Sequence, residues 1–105
     1  MKKINIIEEG PFKDTGHGTL WVHDSANFRI VNFNFKAGQK LAVHSHDVDG
    51  ELSIVVLSGE GEFLGADDAA IPAKTGDVLV CPISTPHGIR SITDMRVLVT
   101  IAPPP

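Results

Sequence analysis

Apolar residues in this chain come in short, β-branched bursts broken by turn formers, and no window holds a period of 3.6 over ten residues. Residues 4–7, 19–23, 28–35, 40–44, 52–57, 62–64, 78–81, 88–92 and 96–101 all read as strands. Between them lie Glu9-Gly10-Pro11, Asp24-Ser25-Ala26-Asn27, Lys36-Ala37-Gly38, Ser58-Gly59-Glu60-Gly61, Gly65-Ala66-Asp67-Asp68 and Lys74-Thr75-Gly76-Asp77. These are turns for a physical reason: Gly supplies positive φ, and Asp and Asn bond their own backbone. A chain built this way folds as an all-β domain of about eight to ten strands, a sandwich or a barrel.

The 105 residues suffice for one domain spanning 1–105, with a modest core that pairing with a second copy would help to cover. Open strand edges point the same way, so a homodimer is expected. A net charge of −4, with no run of Lys or Arg, argues against nucleic acid and anionic membrane as partners. No stretch approaches the roughly 20 apolar residues of a membrane span. Asn5, Glu8 and Glu9 interrupt the N-terminal apolar run before it could serve as a signal peptide, so a cytoplasmic location is expected. The lone cysteine, Cys81, rules out an intramolecular disulfide framework and reads as a buried structural thiol.

Alternation gives faces. Val31, Phe33 and Phe35 share one side of their strand, with Asn32 and Asn34 on the other. Phe28 and Ile30 have the opposite parity to that apolar set, so either both faces are covered or a bulge intervenes. The nearly continuous apolar run 52–57 suits a central strand. Ala102-Pro103-Pro104-Pro105 cannot continue a ladder and is expected to leave the domain as an extended tail over 102–105.

The chemistry-bearing residues are few. His44 and His46 are two residues apart on an extended segment, so their side chains share a face, about 6–7 Å apart at Cα. That suits two imidazoles meeting one ion at about 2.0–2.2 Å, with a carboxylate such as Glu51 and a further histidine such as His87 completing the set. By spacing alone such a pair is more often a surface or pairing feature than a ligand pair. His87 can simply bond a carbonyl, and Glu51 can be a solvated strand end. His17 and His23, flanking Gly18–Val22, read as surface groups or contacts with a partner subunit. Phe33, Phe35, Ile54 and Val56 are candidates to line a substrate cavity or simply to fill the core. No phosphate loop, Ser/His/Asp arrangement or basic aromatic patch is present.

Two motifs tie these residues together. Gly38-x5-His44-x-His46-x4-Glu51, followed by Ser58-Gly59-Glu60-Gly61, resembles the first conserved motif of the cupin superfamily, here over 38–59. Gly76-Asp77, a short strand, then Pro82-Ile83-Ser84-Thr85-Pro86-His87 and Ser91 resembles the second, over 76–91. Ser84 stands where the family has Gly, and Ser91 where it has Asn. The resemblance implies a single-domain cupin jelly-roll β-barrel of the RmlC-like kind. It also implies a metal held by His44, His46, His87 and Glu51: one divalent transition ion per chain, Fe, Mn, Ni, Cu or Zn. Seven residues separate Glu51 from Gly59, one more than the family pattern, which puts Leu52 at the usual ligand position. A one-residue slip turns a strand side chain to the other face. Glu51 can then ligate only if a bulge absorbs the extra residue; otherwise Asp47, Asp49 or water takes its place. The resemblance implies a small metal-binding protein, an oxygenase- or isomerase-like enzyme acting on a small organic molecule. The alternative is a non-catalytic module that binds or senses a small ligand, metal-free in its simplest form. Fold alone does not choose between them.

Overall fold

The computed structural model describes residues 1–105, which form nine strands and one helical turn. The strands are β1 (Gly18–Asp24), β2 (Arg29–Phe35), β3 (Lys40–His44), β4 (Glu51–Ser58), β5 (Glu60–Leu64), β6 (Ala70–Lys74), β7 (Val78–Pro82), β8 (His87–Ser91) and β9 (Met95–Ala102). They make two antiparallel sheets, ordered β1-β2-β9-β4-β7 and β3-β8-β5-β6. No ladder joins the edge strands of one sheet to those of the other, so the expected closed barrel is an open, two-layered jelly-roll sandwich. The sheets meet through alternating inward residues, and Phe35, Ile54, Val56, Ile89, Met95 and Val97 lie fully buried between them. Each such side chain contributes about 1.5–3 kcal/mol on leaving water.

Two segments depart from expectation. Residues 4–7 are not a strand: Ile6–Glu9 form one helical turn, α1, capped by Asn5, whose Oδ1 accepts the Glu8 N–H at 3.1 Å. β6 was not anticipated because Pro72 lies in it. It is the outer strand of its sheet and pairs only with β5, so the N–H that proline lacks is not needed on the open side.

β2 shows why its pattern was ambiguous. Val31 and Phe35 are buried on the inner face, yet Asn32 and Asn34 on the outer face are also fully buried. β2 runs in unbroken register against β9, and the bulge lies in β1 between Trp21 and His23, so coverage of both faces is the explanation. The cover is the N-terminal segment. Asn32 and Asn34 exchange amide hydrogen bonds at 2.9 and 3.0 Å, and Asn34 Nδ2 donates to the Pro11 carbonyl at 3.0 Å. Arg96 donates to the Gly10 carbonyl at 3.2 Å and lies 4.6 Å from the Phe12 ring centre. No buried side-chain polar atom is left unpaired. This strap closes the outer face and leaves the opposite, inner face of β2 free to build a cavity.

Candidate functional site

The three histidines converge from two neighbouring strands and a loop. β3 and β8 pair antiparallel, with His44 directly opposite His87, and a bulge lies between Leu41 and His44. Gly88 makes this possible: a Cβ there would sit 2.7 Å from the Leu41 carbonyl oxygen and 2.9 Å from the Val43 nitrogen. Only glycine lets the bulged strand come this close. His46 lies beyond the end of β3, in a loop tied down by a hydrogen bond from its N–H to the Ile83 carbonyl at 3.3 Å. The His44 ring centre is 4.5 Å from that of His87 and 5.7 Å from that of His46.

Hydrogen bonding orients two of the rings. His44 Nδ1 lies 2.9 Å from the Ala42 carbonyl oxygen, and His87 Nδ1 lies 2.7 Å from that of Thr85. A carbonyl only accepts, so each Nδ1 carries the proton and each Nε2 keeps its lone pair. This is the arrangement that second-shell partners impose on ligating histidines. His46 makes no side-chain hydrogen bond and is exposed, so its ring is free to turn toward the other two. As the side chains stand, no group of three or more His, Cys, Asp or Glu is already set around a common ion position.

His87 is buried, and burial holds its pKa below the usual histidine value. The bond to Thr85 opposes that shift, while positive charge on His44 and His46 adds to it. A neutral His87 at physiological pH is the form that ligates. The unfolded chain, with the higher pKa, takes up the proton first as pH falls. The metal-free protein is therefore expected to lose stability from about pH 7 downward through the ordinary histidine range near 6.5. Melting temperatures from pH 7.5 to 5.5 check this, with a shallower decline expected for His87→Gln.

Glu51 does not join the histidines. Along β4 the inward residues are Leu52, Ile54 and Val56, all buried, whereas Glu51 is exposed. β4 does contain a bulge, but at its far end between Val56 and Ser58. Residues 51–55 keep regular register with both β7 and β9, so nothing turns Glu51 inward. Gly50 starts the strand at φ +127°, where a Cβ would meet the Ala102 carbonyl oxygen at 2.7 Å. Asp47 and Asp49 are likewise exposed, in the loop ahead of it. Glu51→Gln is expected to bind metal as the wild type does, which titration with Zn(II) or Mn(II) against a competing chelator checks.

The histidines line a cavity of about 180 Å³ between the sheets, whose other walls are largely apolar. Phe33 and Ile54 line it, while Phe35 and Val56 lie in the packed core and do not. Pro105 also lines this cavity, so the proline-rich end turns back against the domain instead of leaving it. A second cavity of about 220 Å³ lies on the other side of His87, lined by Phe63, Ile71, Leu79 and Cys81. Burial raises the Cys81 pKa, which fits an inert thiol. His17 packs edge-on against Phe33 at 5.0 Å, and His23 stacks on Phe28 at 4.6 Å, so both make contacts within the chain.

Of the lining residues that the sequence does not single out, Arg29 and Trp21 bear the most chemistry. The signal was present, since Arg29 shares parity with Val31 and Phe33, and Trp21 pairs directly with Val31. An arginine is ordinarily assumed to face water, and that assumption hid it.

The arrangement is that of a small two-sheet β-sandwich with imidazoles lining a cavity between the sheets, and comparison with known families gives it a name. Residues 31–101 match the family model described as "Cupin domain", and the chain belongs to the cupin family. A crystal structure of an RmlC-like cupin protein from Desulfovibrio desulfuricans is similar along the whole chain. Its identity is 62%, its TM-score 0.96, and the match covers 100% of this chain and 99% of that one. KdgF from Halomonas sp. shares the fold at 21% identity and TM-score 0.80, covering 97% of this chain and 94% of its own. The polyketide cyclase RemF from Streptomyces resistomycificus does so at 18% identity and TM-score 0.79, covering 99% and 80%. No curated protein sequence matches the chain.

Proposed function

We propose that this cupin binds one divalent transition metal per chain through the Nε2 atoms of His44, His46 and His87, and acts on a small organic molecule in the adjoining cavity. The observation that carries this reading is the pair of Nδ1–carbonyl bonds that leaves the Nε2 lone pairs free on two rings, 4.5 Å apart at their centres and lining one cavity. Three neutral imidazoles suit Fe(II), Mn(II), Ni(II), Cu(II) or Zn(II). A ligand set with no carboxylate leaves the ion's full double charge uncompensated. When bound, such an ion supplies Lewis acidity toward a ligand oxygen. The chain's own part is to hold the ligand between Phe33 and Ile54, to exclude water with apolar walls, and, by burying it, to favour the neutral form of His87. Oxygenase- or isomerase-like turnover fits this arrangement.

A second reading, a binding or sensing module without turnover, is favoured by one feature. No Asp or Glu lines the cavity, so no carboxylate stands ready there as a general base. Oxygen uptake and product analysis on metal-loaded protein, across a panel of small diols, diketones and hydroxy acids, separates the two. Turnover of any member, lost in His44→Ala, supports the enzyme. Thermal stabilisation by one compound with no product supports the binder.

The protein is proposed to act as a homodimer. β7 is an open edge, and its Val78 and Val80 are more than half exposed, the kind of surface a small domain covers by pairing. Light scattering at micromolar concentration is expected to give twice the chain mass, and a monomer mass would reject the dimer. No helix of the chain is long and apolar enough to cross a membrane.

A further inference from the structure

Arg29 is the one cation among the apolar walls of the cavity that holds the histidines, and its position is unusual for its chemistry. It is an inward residue of β2, on the same face as Val31, Phe33 and Phe35, and its side chain is only 22% exposed. An arginine has five N–H donors. Here only Nε is engaged, by Asp24 Oδ1 at 3.1 Å, and the two terminal nitrogens make no hydrogen bond within the chain. The guanidinium lies 5.3 Å from the Trp21 ring centre, close enough for a cation–π contact. Asp24 and Trp21 thus engage the group at Nε and at its face, and leave both terminal nitrogens without a partner in a residue that lines the cavity. A planar fork of this kind pairs with a carboxylate through two parallel hydrogen bonds, and a largely apolar surrounding strengthens that pairing.

We propose that Arg29, steadied by Trp21 and Asp24, is a carboxylate-anchoring subsite, and that the ligand of this cavity is a small organic acid. The acid group lies on Arg29, the apolar body against Phe33 and Ile54, and the remaining end faces the imidazoles. This deepens the functional reading of the same cavity, but it needs no metal, and the test keeps the two apart.

The chain has one tryptophan and no tyrosine, so its fluorescence reports Trp21 alone. Metal-stripped protein is titrated with cyclohexanecarboxylate and with cyclohexanecarboxamide, which has a similar shape but no charge. The carboxylate is expected to change the emission saturably and to bind at least about tenfold more tightly than the amide, as truncation of buried charge pairs leads one to expect. Arg29→Met is expected to bring the carboxylate down to the amide's affinity, and Arg29→Lys, which keeps the charge and loses the fork, to fall between them. Equal affinity of the two probes for the wild type, no saturable response to the carboxylate, or undiminished carboxylate binding by Arg29→Met overturns the proposal. Should Arg29→Met fail to fold, the wild-type comparison and Arg29→Lys decide the matter. Repeating the titration with Zn(II) added separates the claims. Carboxylate selectivity in protein that takes up no metal upholds the subsite and rejects the metal centre. Metal uptake without carboxylate selectivity does the reverse.

Discussion

Protein purified without a histidine tag from metal-replete medium is expected to carry about one transition-metal ion per chain, and His44→Ala and His87→Ala to carry about a tenth of that or less. The expectation rests on how the two rings are held. Each is fixed by a carbonyl, of Ala42 and of Thr85, on its own Nδ1 side. Each therefore enters a complex already in the right tautomer, with little orientation left to lose. His46 is exposed and without a side-chain hydrogen bond, so it adds a ligand at a larger ordering cost. His46→Ala should accordingly retain more metal than the other two. Elemental analysis of the four proteins checks the order. Equal, near-zero content in all of them would remove the metal from this account.

Gly88→Ala is expected to damage the site without touching a histidine. The added methyl would meet two backbone atoms of β3, the Leu41 oxygen and the Val43 nitrogen, at 2.7 and 2.9 Å. Neither can swing aside as a flexible side chain would, so β3 must move off β8. Overpacking of this sort costs about 1–3 kcal/mol. The same movement carries His44 away from His87, which stands opposite it on the paired strand. Metal affinity is expected to fall on the order of 10–100-fold, the range typical when the support of a ligand is disturbed. Val97→Ala provides the contrast. Val97 is fully buried in the core on β9, outside the histidine cavity, so its truncation destabilises the chain yet should leave metal binding intact. Urea unfolding and metal titration of both variants check the two halves. Wild-type affinity in folded Gly88→Ala would show that the bulge does not position His44.

What the sequence conveyed depended on whether the cause was local. β3, residues 40–44, was legible to the residue because a turn former stands before it and the alternation ends with it. The inward set Val31, Phe33, Phe35 followed from period two alone. The burial of Asn32 and Asn34 was hidden, since their partners, Pro11 and Arg96, are remote in sequence. Residues 4–7 looked like a strand because isoleucines dominate them, whereas the decisive group was the Asn5 cap. The histidines became a site only through the resemblance that joined residues 38–59 to 76–91, because spacing within one strand cannot reveal a partner strand. The extra residue before Gly59 gave fair warning about Glu51. Sequence could not say where β4 absorbs that residue, and the bulge lies at the end away from Glu51.

The central claim is a metal held by three histidines and no carboxylate. Anomalous diffraction from crystals of the metal-loaded protein, measured at the absorption edges of Mn, Fe, Ni, Cu and Zn, tests it most directly. The expected result is a single peak per chain, at about 2.0–2.2 Å from the Nε2 atoms of His44, His46 and His87, with water or ligand completing the shell. A peak bonded to Glu51, or no peak among the three imidazoles in crystals that hold metal, would contradict it.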